Sequence, residues 1–483
     1  MPWIGQAATD SDWRNNIISD GQLVCTYDQL PTIFSRIEQH LTRQGVTWLD
    51  CLAVECGNRL TDALLLLYLL ERGQDFVLLP AGFGDQESRP RFCRYRLTTI
   101  AEQAIIDQPT SYLQFKPLAV WTEAASSFKD VAKLYLRTSG STGAAKLVVH
   151  AHQHMIRSVQ IWVQRCGLRS DDRVAIPVPL HHMFGLLAAF LSSIWVGAAV
   201  DIQPEANILH FMQRERAFRP TVLFLTPKWC EALLAVRKSD KRFRLTVTAG
   251  ERISAPLFQK YETRFGLLLN QYGLSEFGGV TCAHLTDPLE LRAQTVGQAL
   301  PGVSLRLSLP EGSHADHDAI GQLECQHPYP FLGIVDQSGQ ALQPDPFTAD
   351  DWYLTQDLAR IRADGYVEIL GRADFSTNRD GMLVIFSEVE RMIEQLDGVA
   401  VAVLVSAGQS RYGQGLIAYC VPAKGQTLTA ETVRDACFKL LPRHAVPDRV
   451  IIIKSLPTLV SGKVDRQQLA SLLTDTHAFF PLN

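Results

Sequence analysis

No Cys-x-x-Cys pair occurs among the ten cysteines of this chain, and the two nearest in sequence are Cys51 and Cys56. That spacing excludes the tight patterns of metal or disulfide frameworks, and the thiols are expected to be reduced and mostly buried, as in a cytoplasm. A basic tail or polybasic run is also missing, and the formal net charge is −4, which argues against nucleic acid or an anionic membrane as the main partner. The start of the chain (Met1, Pro2, Trp3, with Asp10 and Asp12 soon after) has no basic region followed by an apolar run, so no signal peptide is read there. Short-period repeats and low-complexity tracts are absent. Residues 176–200 lack Asp, Glu, Lys and Arg, and 183–200 approach the length of a membrane span. Pro177, Pro179, His181 and His182 precede that run and Ser192, Ser193 and Gly197 interrupt it, so a buried core helix is expected and no span.

What is present is a globular composition, 46% hydrophobic and 20% charged, in 483 residues, which is too long for one core. The stretch that stands out is Thr138, Ser139, Gly140, Ser141, Thr142, Gly143, Ala144, Ala145, Lys146. Glycines let backbone N–H groups converge on an anion, hydroxyls add donors, and a lysine supplies charge. It is not a Walker A loop, because the lysine follows the last glycine by three residues and the next segment is β-branched rather than helical. A Ser/Thr/Gly loop also serves as a plain polar turn, and the rest of the chain has to decide between the two.

Helix and strand signals alternate along the first part. Residues 27–44 and 59–72 have helical spacing, and 48–54 and 75–79 are strand-like. Two strands flank the Ser/Thr/Gly loop, and a second βα series runs from a helix at 153–166 to a strand at 222–225. Such alternation predicts parallel sheets covered on both faces, with phosphate ligands at loops beyond strand ends. Near residue 285 the texture changes, and 296–322 is rich in Gly, Pro and Ser, as a small β unit would be. Past Arg372 there are signals for helices at 387–396 and 430–440 and strands at 399–405, 415–421 and 450–453, enough for a small α+β domain.

Three further motifs follow in order. Gln271, Tyr272, Gly273, Leu274, Ser275 and Glu276 come after an apolar run and put a ring, a hydroxyl and a carboxylate at one strand end. The ring could stack on a base and the carboxylate could hold Mg²⁺; a lone Glu in a turn can equally be just solvated. Trp352, Tyr353, Leu354, Thr355, Gln356 and Asp357 precede Asp364-Gly365, a hairpin signal that sets Asp357 and Arg372 on either side of one turn. Near the end, Ser461, Gly462 and Lys463 place a lysine in a glycine-containing loop, which by itself reads as a surface turn.

With these four motifs in this order, the chain resembles the acyl-adenylate-forming superfamily: acyl- and aryl-CoA synthetases, adenylation domains of peptide synthetases, and beetle luciferases. The resemblance runs from about residue 25 to 470. It implies an α/β fold, with a large N-terminal domain (1–372) of two αβ subdomains plus a small β unit, and a small α+β C-terminal lid (373–483) turning at a hinge, Asp374. It also implies ATP and Mg²⁺, activation of a carboxylic acid to acyl-AMP with release of pyrophosphate, and transfer to the thiol of CoA or of phosphopantetheine. Residues Thr138, Ser139, Gly140, Ser141, Thr142, Gly143 and Lys146 would cover the β- and γ-phosphates. Tyr272, with Gly273, would meet the adenine, Ser275 a phosphate, and Glu276 the metal. Asp357 would hold the ribose with help from Arg372, and Lys463 would bridge the substrate carboxylate and the α-phosphate. A carboxylate attacking a phosphate brings two anions together, so catalysis of this kind is positioning and charge stabilisation.

Pro179, Leu180, His181, His182, Met183, Phe184 and Gly185 resemble the acyl- and aryl-CoA synthetase version of the substrate motif. His182, which alone could be a hydrogen-bonded core histidine, would stand at the mouth of the acid pocket. The pocket wall would draw on Met183, Phe184, Phe224, Trp229, Thr248, Ala249, Gly250, Gly278 and Gly279. An aspartate to pair with an α-amino group is not evident, so the resemblance points to a non-amino acid, aryl or medium acyl. Three departures stand against the family pattern: Ala144-Ala145 before the lysine, Gln356 where Gly is usual, and, in place of the usual Lys and Gly-x-Arg/Lys pattern after the hinge, Asn378, Arg379, Asp380, Gly381, Met382 and Leu383, with Leu383 where a phosphate-contacting cation is expected. The last makes thioester formation less secure than adenylation. Fewer than 20 residues follow Asp465, so a free CoA or a separate acyl carrier protein is the expected acceptor. The rival readings are a stand-alone enzyme loading only a carrier protein and a non-catalytic nucleotide-binding regulator.

Overall fold

The computed structural model describes residues 15–82, 90–99, 113–118, 131–138, 146–204, 207–309, 319–342, 347–380, 382–410, 412–458 and 464–472. Ser139, Gly140, Ser141, Thr142, Gly143 and Lys463 lie outside the described residues. The chain divides into two compact units. The first holds 1–305, 325–354 and 362–368, and the second holds 306–324, 355–361 and 369–483.

Two sheets build the first unit. One has the spatial order Gly333–Val335, Lys146–Ala151, Lys133–Thr138, Phe76–Pro80, Leu52–Cys56, Tyr95–Thr99, Leu113–Pro117. Its middle strands are parallel, as the alternating signals require. The helix Leu60–Arg72 is buried from Leu60 to Leu70, and it ends at Gly73, whose φ of 73° is the left-handed stop that glycine accepts without strain. The strand expected at 48–54 begins instead at Leu52, and Trp48 and Leu49 are 70% and 73% exposed. The cause is a turn: Asp50 Oδ2 accepts from the Thr47 N–H at 2.7 Å and from Thr47 Oγ1 at 2.9 Å, so the backbone cannot enter the sheet before residue 51.

The second sheet has the order Gln298–Ala299, Gly278–Cys282, Leu268–Leu274, Leu245–Thr248, Val222–Leu225, Arg173–Ile176, Ala199–Ile202, Ile17–Ser19, Val24–Thr26. The uncharged run forms a π-helix, Phe184–Leu191, that continues as the α-helix Ser192–Trp195. The serines that interrupt its apolar pattern have a structural use. Ser192 Oγ donates to the Leu187 carbonyl at 2.8 Å and Ser193 Oγ to the Ala189 carbonyl at 2.6 Å, serving oxygens inside an apolar core. Among the described residues no helix is long and apolar enough to cross a membrane. The strands Ser304–Ser308, Ile320–Gln326, Tyr353–Ile361 and Val367–Arg372 form a further four-stranded sheet. All ten cysteines are free.

The second unit carries a sheet in the order Met382–Ile385, Ser376–Arg379, Gly413–Pro422, Val399–Ser410, with Arg449–Ile452 beside Gly413–Pro422. The helices Phe386–Glu394 and Ala430–Leu440 supply Val389, Ile393, Val433 and Cys437 to a core shared with Leu404, Leu416 and Ala418. Arg379 is buried inside this unit. Its guanidinium donates to both Asp448 oxygens at 2.9 and 2.8 Å, to the Val446 carbonyl at 3.0 Å and to Ser410 Oγ at 3.1 Å.

Candidate active site

Thr138 and Lys146 face each other as the last and first residues of two antiparallel strands, closing the stem of the Ser/Thr/Gly loop. The loop bearing Lys463 has a similar stem: Thr458 bridges Val464, and the Asp465 N–H donates to the Pro457 carbonyl at 2.9 Å. Behind that stem Arg466 grips the Glu390 carboxylate at 2.7 and 3.1 Å.

Tyr272 lies on the strand Leu268–Leu274, which pairs with Gly278–Cys282 through a register shift between Tyr272 and Gly273. Such a bulge re-aims a side chain. The tightness of the turn selects its glycines. A Cβ on Gly273 would stand 2.3 Å from the Gly278 carbonyl oxygen, and Gly278 itself has φ +76°. Tyr272 is buried to 9% exposure, and Ser275 and Glu276 follow at the strand end, half-buried.

Two side chains from elsewhere in the unit hold this turn. His150 Nε2 makes a 2.8 Å hydrogen bond to the Ser275 carbonyl. Burial pushes its pKa down to about 4, so the ring is neutral and donates from Nε2 to that oxygen. Tyr353 Oη donates to Glu276 Oε1 at 3.1 Å. Between them Phe277 stacks on His327 at 5.4 Å and meets the rings of Phe331 and Tyr353 edge-on.

The expected pocket residues meet in part. A Cβ on Gly278 would lie 3.4 Å from Leu187 and 3.7 Å from Met183 Sδ, and Phe184 meets Phe224 edge-to-face at 5.9 Å. Gly250 has φ +93°, and a Cβ there would enter open space. Thr248 and Ala249 are buried, and the neighbouring Gln271 Oε1 is buried without a hydrogen-bond partner among the described residues. Trp229 packs instead against Phe211, at 5.7 Å. His182 is exposed, with its ring 4.4 Å from that of His181. An open depression of about 600 Å³, lined by Leu234, Pro256, Gln259, Lys260, Thr263 and Arg264, shares none of these residues.

In the second unit Asp357 is buried, and Arg372 Nη1 lies 3.5 Å from Asp357 Oδ1. The same guanidinium donates to the Thr355 carbonyl and to Gln356 Oε1, both at 3.3 Å, and stands 3.6 Å from Asp374. Arg372 is thus tied into its own turn. In the first unit, which holds 362–368, the Asp364-Gly365 hairpin forms as expected, with Gly365 at φ +80° and the Arg362 N–H on the Tyr366 carbonyl at 2.9 Å.

The AMP-binding enzyme family matches residues 100–335, and the AMP-binding enzyme C-terminal domain matches residues 388–463. The chain belongs to this acyl-adenylate-forming family. It is 29% identical over 72% of its length to 3-[(3aS,4S,7aS)-7a-methyl-1,5-dioxo-octahydro-1H-inden-4-yl]propanoyl:CoA ligase of Rhodococcus jostii (strain RHA1), and the match spans 66% of that protein. It is 26% identical over 82% of its length to 2,3-dihydroxybenzoate-AMP ligase of Bacillus subtilis (strain 168), 74% of which is spanned. Its fold is that of ATP-bound MatB from Rhodopseudomonas palustris, at a TM-score of 0.81 and 21% identity over 98% of this chain and 99% of the other.

Within this AMP-binding chain, sequence reasoning missed the groups that hold the motifs. His150 and Tyr353 reach across 125 and 77 residues to their partners. Asn58 does the same for the histidine motif: its amide donates to the Val178 carbonyl at 2.8 Å and accepts from the Leu180 N–H at 2.7 Å. Asn58 has φ +61° directly before a helix, and the Gly57-Asn58 turn signal is the one cue that could have drawn attention to it.

Proposed function

We propose that this AMP-binding chain joins a carboxylic acid to ATP, releasing pyrophosphate and forming an acyl-adenylate, and then passes the acyl group to a thiol. The acid is a non-amino one, aryl or medium acyl. The observation that carries the reading is the turn at the end of one strand, where a buried tyrosine ring and a glutamate carboxylate stand four residues apart at Tyr272 and Glu276, braced by His150 and Tyr353. In this reading Tyr272 takes the adenine, Thr138, Lys146 and Ser275 take phosphates, and Asp357 takes the ribose beside Arg372. Met183, Phe184, Phe224 and Gly278 give the acid an uncharged wall, with His182 at its mouth. The domains are 1–372 and 373–483, turning at Asp374 to bring in Lys463, and the compartment is the cytoplasm, in keeping with ten free cysteines.

Glu276 with neighbouring hydroxyls and backbone carbonyls is an oxygen-only donor set of the kind that takes Mg²⁺ alongside phosphate oxygens. Mg²⁺ would offset the negative charge that collects on the departing pyrophosphate. Lys463 would offset the repulsion between the acid and the α-phosphate as they approach.

One observation favours a carrier protein's phosphopantetheine over CoA as the thiol. The hairpin after Asp374 exposes Met382 and Leu383, at 53% and 44%, and its arginine, Arg379, is buried against Asp448. A nucleotide-bearing acceptor would find no cation there among the described residues. The test is acid-dependent exchange of labelled pyrophosphate into ATP over an acid panel, with Lys463→Ala as control. Exchange with a non-amino acid, lost about a hundredfold or more in Lys463→Ala, is the expected result. No exchange with any acid would sink the reading, and exchange followed by acylation of CoA at the rate of a carrier protein would remove the preference for a carrier.

A further inference from the structure

The bond from Tyr353 to Glu276 is not explained by packing. Tyr353 is the first residue of the strand Tyr353–Ile361, and its ring stands edge-on to Phe277 at 5.3 Å and to Phe331 at 5.4 Å, with Phe347 at 5.9 Å. Phe277 and Phe331 are 2% exposed, and Phe277 is stacked on His327, so the aromatic group is fixed on several sides. A phenylalanine ring would fill this space equally well. The one chemical difference a tyrosine brings is its hydroxyl, and that hydroxyl donates to Glu276 Oε1 at 3.1 Å.

We propose that Tyr353 is a positioning residue for the metal-binding carboxylate: it fixes the orientation of Glu276 before the metal–nucleotide complex arrives. This rests on the reading of Glu276 as the Mg²⁺ ligand. A carboxylate has two oxygens and about four lone-pair sites, so the hydrogen bond that Tyr353 donates at Oε1 orients the group and is compatible with a cation on the same carboxylate. Partners of this kind, standing behind a metal ligand, set its direction and sharpen affinity for the ion. The arrangement also separates two duties within one turn. His150 secures the backbone at Ser275, which serves the nucleotide as a whole, whereas Tyr353 acts on the Glu276 side chain alone. Loss of the Tyr353 hydroxyl should therefore weaken the contribution of the metal and leave the contact with the base intact.

Metal and nucleotide affinities are linked reciprocally, so the coupling can be read without turnover. The dissociation constant of ATP for the full chain is measured by equilibrium dialysis, with no acid present, once in excess Mg²⁺ and once in EDTA. The ratio of the two constants is the coupling. Tyr353→Phe should lower that ratio about tenfold and leave the constant in EDTA within about twofold of the unaltered chain. Glu276→Gln is the control and should lower the ratio at least as far. A Tyr353→Phe ratio equal to that of the unaltered chain, with Glu276→Gln collapsing it, overturns the positioning role and leaves Glu276 as the ligand. Weaker ATP binding in EDTA with an unchanged ratio also overturns it, because a merely structural role predicts that pattern. A Glu276→Gln ratio that does not fall removes the reading of Glu276, and the proposal with it.

Discussion

Gly273 and Gly278 flank the turn that carries Glu276, whereas the residue before Asp357 is Gln356, held at φ +61°. In the first turn the backbone takes its tight path with no side chain to object, and orientation comes from outside, through His150 and Tyr353. In the second, an L-residue sits in the left-handed region at a cost of about 1–2 kcal/mol. Arg372 offsets part of that by donating to Gln356 Oε1 at 3.3 Å. The same arginine reaches Asp357, so the strained residue and the acid beside it are held by one guanidinium. The difference teaches that a tight turn can be built by freeing the backbone and bracing it, or by straining the backbone and tying it down.

The second unit repeats the tying-down inside its core, and there the largest effect is expected. Arg379 is fully buried and Asp448 half-buried, with both carboxylate oxygens engaged. Removing the cation leaves the Asp448 carboxylate with only the Leu416 N–H among these partners and opens a cavity where the guanidinium was, so Arg379→Ala should cost about 3 kcal/mol. Hydrogen exchange would show it as lost protection in the strands Gly413–Pro422 and Val399–Ser410, with the first unit unchanged. Unchanged protection in those strands would mean that the pair is not what holds this unit.

A smaller effect should separate the units by pH. Burial holds His150 and His327 at about 4, below the value near 6.5 of a free imidazole. Between those two values the unfolded chain binds protons that the folded chain refuses, so stability is complete above about 6.5 and is lost as pH falls toward 4. His150→Gln keeps an N–H for the Ser275 carbonyl and removes one such proton. Denaturant unfolding across pH 6 to 5 should then show a slope shallower by roughly 1 kcal/mol per pH unit. An unaltered slope would show that His150 is not held neutral, and the bracing of the first turn would need another account.

The legible part of this molecule is the part written in short-range pattern. The parallel strands, the hairpin at Asp364-Gly365 and the turn at Tyr272 follow from runs and spacings within a few residues. The start of the strand at Leu52 did not, because an apolar pattern from Trp48 onward cannot reveal that the Asp50 carboxylate folds back on Thr47. Nor could the sequence reveal that Arg379, in the loop after Asp374, is bound to Asp448 across 69 residues. Side chains that act over such distances become readable only when the fold brings them together, which is why His150 and Tyr353 carry no local signal.

The smallest expected effect isolates the strain itself. Gln356→Gly relieves the left-handed backbone and loses the bond to Arg372, whereas Gln356→Ala loses the bond and keeps the strain. Their difference should therefore be the conformational term alone, about 1 kcal/mol in favour of glycine, reduced by the greater entropy that glycine loses on folding. Denaturant midpoints with an unchanged dependence on denaturant would give it directly. If alanine and glycine prove equally stable, Gln356 is not strained, and the two turns are built alike. If glycine is the more stable but ATP binds it more weakly, then the Gln356 side chain is retained for the hold it gives Arg372 next to Asp357.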